Sequence, residues 1–295
     1  DINIVKDFDK MIWHLDEPQA DAAPLNVLNI AKIASKKNIK VLIGGTGGDD
    51  LFSGYRRHLA LRYDKLLEST PLTIRRLIKQ AVFFMPSDRV FFRRLKKFCE
   101  NIDNNQETRL IGYFNWISPS LVKKLLSKHI AKITSRYDSS SYFRKLLASL
   151  KNEKNLLNKM LYLEQKTFLV DHNLNYTDKM SMAVGVETRV PYLDIDLVEF
   201  SQNLNPNFKL KNGETKFILK KVAERYLPKE IIYRPKTGFG APVRKWIKED
   251  MSEMINNYLS EAKITEHGIF DYQEVKKLID RNSKGKIDAS YNIWS

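Results

Sequence analysis

The chain has 295 residues, a formal net charge of +15 and an apolar share of 43%, enough to bury a core in one large domain or two modest ones. Its single cysteine, Cys99, excludes an intramolecular disulfide framework and a cysteine-rich zinc site, and fits a reducing compartment, the cytoplasm. No apolar run reaches the length of a membrane span, so no membrane partner is expected, and the positive charge suits nucleic acid, an anionic surface or anionic small substrates. No signal peptide opens the chain and no initiator Met precedes Asp1, so a piece of a longer protein is expected.

Ile4, Phe8, Met11, Ile12 and Leu15 recur at helical spacing, and Asp16-Glu17-Pro18 ends that helix. Pro24 suits the first turn of a second helix, with Leu25, Leu28 and Ile33 on its buried face as far as Asn38. The stretch Lys40 to Tyr55, KVLIGGTGGDDLFSGY, follows at once. Val41, Leu42 and Ile43 predict a short buried strand, and a helix feeding such a strand is half of a βαβ unit. Gly44, Gly45, Gly47 and Gly48 then make a loop with almost no side chains, followed by Asp49 and Asp50 and a second turn at Ser53-Gly54. A strand running into a glycine-rich loop brings backbone N–H groups close to a phosphate-bearing ligand, and adjacent carboxylates can hold Mg²⁺. Alone, the loop reads equally well as a flexible turn with two solvated acids, being neither a Walker A sequence nor a GxGxxG fingerprint.

From His58 to about Leu150 the sequence is helical and basic, with turns at Thr70-Pro71, Pro86-Ser87, Asn101 to Asn105 and Ser118-Pro119. Arg89 to Lys97, RVFFRRLKK, reads as an amphipathic helix with its phenylalanines in the core and a solvated basic face; a nucleic-acid or membrane patch is the sharper alternative. A strong helix spans 153–168 and a second helical piece 171–183. Asp194 can cap a helix over 195–203, which Asn205-Pro206 closes. Residues 214–226 predict another helix, 234–240 a loop, and Pro242 opens a long helix through Trp246, Met251 and Tyr258. Asp271 caps a helix over 272–282, and a last helix begins near Trp294.

Two further motifs stand beside the loop: Asp178-Lys179-Met180-Ser181-Met182 with GVETRVPYLD (185–194), and RPKTGFG (234–240). Each has a bland reading. Asp178 and Ser181 can be a local helix pair, Glu187 and Arg189 an internal ion pair, and Lys236 a solvated lysine.

Taken together and in order, GGTGGDDLFSGY, DKMSMAVGVETRVPYLD and RPKTGFGAPVRKW resemble the synthetase domain of the asparagine synthetase family, the ATP-pyrophosphatase half of a glutamine-dependent amidotransferase. DEPQAD, from Asp16 to Asp21, is similar to the family's segment before this strand, and the resemblance covers nearly the whole chain. It implies an α/β fold, predominantly helical in this chain: part of a Rossmann-like, adenine-nucleotide-binding parallel sheet with a large helical C-terminal portion. Residues 1–62 would be the remainder of the nucleotide-binding core, 63–150 a helical region, and 151–295 a helical region carrying further active-site motifs.

The implied chemistry is adenylation. A carboxylate attacks the α-phosphorus of ATP, pyrophosphate leaves, and ammonia from a glutaminase domain displaces AMP. The resemblance assigns Mg²⁺ to Asp49, and ATP to the backbone of Ile43, Gly44, Gly45, Gly47 and Gly48. It gives the carboxylate substrate to Thr46, Asp50 and Arg189, and catalytic roles to Lys236 and Glu187. A homodimer is one assembly it allows, and a small carboxylate is favoured over nucleic acid as the partner.

Two departures bear on the substrate. Thr46 stands where asparagine-forming relatives carry an acid and β-lactam-forming ones a tyrosine. Its hydroxyl is no appreciable base, which suits another acceptor, such as a sugar acid in polysaccharide synthesis; a non-catalytic relative is the further alternative. Asp50 replaces the usual Glu. The family's Ser-Gly-Gly-x-Asp-Ser pyrophosphate loop and its Cys-initiated glutaminase do not occur in these residues, so Cys99 is not that nucleophile, and the isolated piece is expected to be inactive.

Overall fold

Strand β1 (Val41–Ile43) lies parallel to β2 (Glu187–Arg189), with Val41 opposite Glu187 and Ile43 opposite Arg189. In this computed structural model, which describes residues 4–86, 89–235 and 239–295, the ribbon is extended at both ends. The Glu187 N–H donates to the Lys40 carbonyl at 2.8 Å, and the Gly44 N–H to the Arg189 carbonyl at 2.7 Å. One face is covered. Leu42, Val184 and Val186 pack on Ala31 and Ala34 of the Ala23–Lys36 helix, whose Ser35 hydroxyl donates to the Val184 carbonyl. The other face is open, with Ile43 79% exposed. The expected buried strand is therefore half-buried: successive side chains point to opposite faces, and a helix covers only one. β2 was not legible as a strand in the sequence, because its three residues alternate two charges around a threonine.

The chain divides into two compact units. One comprises Asn26–Pro71 and Tyr142–Phe239 and contains the ribbon. Its Leu156–Lys166 helix is capped by Asn155, whose side chain accepts from the Leu157 and Asn158 N–H groups. A π-helical segment, Phe168–Leu174, separates this helix from Asn175–Met182. The Thr167 hydroxyl donates back to the Leu163 carbonyl at 2.7 Å, which draws that carbonyl off the regular ladder at the junction. Asp194 caps the Ile195–Asn203 helix as its position implied.

The helix expected over 214–226 starts late. Glu214–Thr215 is strand β4, paired antiparallel with β3 (Leu210–Lys211), and helix runs only over Phe217–Ala223. Asn212 and Gly213 turn the hairpin with φ of 50° and 86°, the doubly left-handed turn that favours Asn-Gly.

The other unit comprises Asp1–Leu25, Leu72–Ser141 and Gly240–Ser295. The Ile4–Leu15 helix forms where expected and buries Met11 and Leu15. Helices Leu72–Phe84 and Val90–Cys99 pack on each other. In the second, Phe92 and Phe98 are half-buried but Phe91 is 67% exposed, so the basic stretch is amphipathic without placing every phenylalanine inside. A core of Leu125, Ile264 and Val275 holds the C-terminal helices, of which Tyr272–Ser283 carries the expected Asp271 cap. The helix expected to run from Pro242 through Tyr258 is broken into Val243–Lys248 and Ser252–Tyr258. At the break the Met251 N–H reaches back to the Trp246 carbonyl at 2.8 Å, which buries Met251 beside Trp246. Ser290–Trp294 is a short final helix. Among the described residues no helix is long and apolar enough to cross a membrane.

Candidate active site

The glycine-rich loop leaves β1 at Gly44 and enters the short helix Gly48–Phe52. Its shape is forced by what surrounds it. Gly47 has φ of 94°, and a Cβ there would lie 2.4 Å from Leu193 Cδ2. A Cβ on Gly48 would in turn lie 3.3 Å from the Cδ2 and Cε2 ring atoms of Tyr192. The PYL segment of the second motif thus packs against the first motif. The Gly44 N–H is consumed by Arg189, and the Gly48 N–H points to the Gly45 carbonyl at 3.3 Å. Among the described residues, no backbone carbonyl accepts from Gly45, Thr46 or Gly47. The N–H groups of Gly45, Thr46 and Gly47 thus have no backbone acceptor, while those of Gly44 and Gly48, both in the expected donor set, are turned inward.

The two acids have different surroundings. Asp49 is half-buried, and its Oδ1 lies 2.7 Å from the Lys216 ammonium. Asp50 is sealed, 1% exposed, and both its carboxylate oxygens lie 3.2 Å from the Tyr55 hydroxyl. That hydroxyl also accepts from Asn173 Nδ2 at 3.0 Å. Burial pushes the Asp50 carboxyl up to about 7; Glu164 and, more weakly, Asp49 add to this, while the Tyr55 hydrogen bond and Arg57 pull it down. The same burial and the Asp50 charge push the Tyr55 hydroxyl far above its usual range.

Behind Asp50 stands a charged group that the sequence reading did not single out. Glu164 is fully buried, bonded to Arg57 Nε and 2.9 Å from His58 Nε2. The Arg57 guanidinium lies against two rings that meet edge to face, 4.3 Å from the centre of Tyr55 and 4.6 Å from that of Phe168, the first π-helical residue. A signal for Glu164 was present: it shares a helical face with Leu157, Met160 and Leu161, and an acid on a buried face demands a partner.

Glu187 and Arg189 pair at 2.8 Å on β2, but the pair is exposed rather than internal. The Arg189 hydrogen bond, then its charge, holds the Glu187 carboxyl below its usual range. Ser181 is buried and donates to the Asp178 carbonyl at 3.1 Å, the local helix pair that the sequence allowed. Thr46 is half-buried on the loop. The Lys236 expectation lies outside the described residues.

The residues present can be tested against a divalent cation. Among the described residues no group of three His, Cys, Asp or Glu side chains is placed to hold a metal ion. Asp50 faces Tyr55, so Asp49 is the carboxylate available from the pair, and a cation, the Lys216 ammonium, already stands against it. That fits Mg²⁺ delivered with phosphates, which takes one or two carboxylates and fills its shell with water and phosphate oxygens.

A strand, a row of loop N–H groups without backbone acceptors, a partly open acid and a charged pair on the neighbouring parallel strand stand together, so the class of protein is α/β with a candidate site at the end of a parallel strand. Comparison with known proteins narrows this class. A model described as "Asparagine synthase" matches residues 3–295, and the chain belongs to the asparagine synthase family. It is 30% identical over 286 residues to "Asparagine synthetase [glutamine-hydrolyzing] 1" of Bacillus subtilis, covering 97% of this chain and 43% of that protein. A "Putative asparagine synthetase [glutamine-hydrolyzing]" of Mycobacterium tuberculosis is 26% identical over 97% of this chain and 42% of its own length. "Amidase chyE" of Penicillium rubens is 23% identical over 93% of this chain and 43% of its own. The chain thus spans less than half the length of these relatives, and no solved structure matches it.

Proposed function

We propose that this chain is the C-terminal part of an ATP-dependent, glutamine-hydrolysing amidotransferase that adenylates a carboxylate and forms an amide, releasing AMP and pyrophosphate. The observation that carries the reading is the packing of GGTGGDD against GVETRVPYL: β1 pairs with β2, and Leu193 and Tyr192 close over Gly47 and Gly48. Two motifs some 140 residues apart in sequence form one wall, as adenylation of a carboxylate beside a nucleotide requires.

In this reading the N–H groups of Gly45 to Gly47 receive phosphate oxygens, with no further backbone reorganisation. Asp49 holds the metal, which when bound gathers negative charge on the phosphates. Arg189 meets the acceptor carboxylate. Glu187, kept ionised by Arg189, takes a proton from the attacking nitrogen. Lys236 places a cation near the charge that develops at the α-phosphorus. The soluble, cytoplasmic setting and the glutaminase partner belong to the same proposal.

Thr46 supports an acceptor other than free aspartate, because a threonine hydroxyl supplies neither an acid's charge nor a base. A sugar acid is the alternative acceptor. The test is an acceptor panel: the protein, expressed with its flanking reading frame, is given ATP, Mg²⁺, ammonia and one carboxylate at a time. Amide formation with a hydroxylated sugar acid at a kcat/KM well above that with aspartate is expected; the reverse order would return the protein to asparagine formation.

A further inference from the structure

Helix Leu72–Phe84 is inverted for a surface helix. An amphipathic helix ordinarily buries its apolar stripe and turns its charges to water. Here the side held against the protein carries Val82 together with two half-buried cations. Arg75 Nη1 donates to the Ile102 carbonyl at 3.1 Å and to that of Asn104 at 3.3 Å, and the Lys79 ammonium lies 2.7 Å from Asp103 Oδ1. Ile74, Leu77, Ile78, Ala81 and Phe84 are spaced as one helical face, and all are exposed, Leu77 at 64% and Phe84 at 91%. Where the next helix begins, Val90 and Phe91 are exposed too.

The face has a charge as well as an apolar stripe. From Leu72 to Cys99 the sequence carries eight cations and a single acid, Asp88. Arg76 on the same helix is exposed, as is Arg94, one turn on from Val90 in the helix packed against it. A second copy of this chain would set these cations against their own kind. A nucleic acid would meet the cations but leave the stripe in water. A surface with anions above an apolar interior satisfies both.

We propose that Leu72–Phe84 lies flat on an anionic phospholipid surface, with the stripe from Ile74 to Phe84 among the upper acyl chains and Arg76 and Arg94 at the headgroup phosphates. This goes beyond the adenylation reading and does not depend on it. No membrane span is needed, because the helix satisfies its own backbone and only one face enters lipid. The expectation of no membrane partner rested on the length of apolar runs, which is blind to a helix lying in the interface plane. The Arg75 and Lys79 contacts hold the polar side to the protein, so the stripe is presented ready-made rather than formed on binding.

The test gives the protein, expressed with its flanking reading frame, to sedimenting vesicles of phosphatidylcholine, alone or with about a third phosphatidylglycerol. Binding to the anionic vesicles about tenfold or more tighter than to the neutral ones is expected. Leu77→Gln with Phe84→Gln, which leaves the net charge as it is, should weaken that binding by about a hundredfold, the scale for two large apolar side chains returned to water, and leave the melting midpoint in place. Arg76→Gln with Arg94→Gln should weaken it by about tenfold and reduce its salt dependence. Anionic-vesicle binding unmoved by the Leu77→Gln and Phe84→Gln pair would be diffuse attraction to a chain of net charge +15 and would overturn the proposal. A parent that binds no vesicles would overturn it as well: a midpoint lowered by the same pair would then show the face covered by the rest of the chain, and a dimer split by the pair would show it covered by a second copy. Binding of a mixed-sequence RNA that the pair leaves intact, without vesicle binding, would assign the cations to nucleic acid instead.

Discussion

His58 Nε2 lies 2.9 Å from both carboxylate oxygens of Glu164, 106 residues further along the chain, and neither side chain is open to solvent. This contact fixes the segment that follows the glycine-rich loop to the Leu156–Lys166 helix. Arg57 adds a second bond to the same carboxylate, and Tyr55 carries the connection forward to Asp50. The loop is therefore anchored from behind by a buried polar group rather than by apolar contact alone.

Glu164→Ala leaves the Arg57 guanidinium and the His58 ring buried without their carboxylate. It should cost about 3–5 kcal/mol of unfolding free energy, the usual penalty for breaking a buried pair from one side. Glu164→Gln keeps an acceptor for both and should cost less. Urea unfolding of the two variants measures this; a loss below about 1 kcal/mol for Ala would show that the pair anchors nothing.

Asp50 makes a pH prediction with a definite sign. In the unfolded chain its carboxyl ionises near 3.8, and in the fold burial holds it up to about 7. Between these values the native chain keeps a proton that the unfolded chain has lost. Its contribution to stability is thus full below about 4, and is lost as pH rises through about 7. Asp50→Asn removes that dependence. The parent's unfolding free energy should fall relative to the variant's from pH 4.5 to 7.5, roughly across that window. A constant difference across the same range would contradict the buried, protonated Asp50.

Gly47 and Gly54 are predicted to fail for different reasons when replaced by alanine. Gly47→Ala meets both a left-handed φ and Leu193 Cδ2 at 2.4 Å, so it should lower the melting midpoint. Gly54→Ala has no such φ, but its methyl would fall 1.7 Å from Asp49 Oδ1 and 2.9 Å from the Asp49 Cα, so it should disturb Mn²⁺ binding as well as lower the midpoint, whereas Gly47→Ala should leave Mn²⁺ binding largely unchanged. Calorimetry and Mn²⁺ relaxation on both variants separate the two; the same pattern in both would contradict the assignment.

Much of the local structure was readable because its causes are local. The Ile4–Leu15 helix declares itself by apolar spacing, and Asp194 and Asp271 announce helices that each then caps. The Asn212-Gly213 pair was an equally local signal for the β3–β4 hairpin, and it outweighs the helical periodicity that suggested a start at Glu214. The break at Glu249 to Met251 has no such signal, since burying Met251 beside Trp246 is a tertiary demand. The same holds within the site. The glycine loop and the GVETRVPYLD stretch carry their residues in order along the chain. Lys216 against Asp49, and Glu164 against His58, exist only after folding brings distant segments together.

The central claim, adenylation of a carboxylate, is tested most directly by isotope transfer. The protein with its flanking reading frame is given ATP, Mg²⁺, ammonia and an acceptor whose carboxylate carries ¹⁸O. If that oxygen attacks the α-phosphorus and stays with the departing nucleotide, mass spectrometry finds one ¹⁸O in AMP for each amide formed. Asp49→Asn should lower the rate by about a hundredfold or more, the scale for losing a main electrostatic contact of a transition state. Label in inorganic phosphate with ADP as the nucleotide product, or AMP without label, would contradict the account.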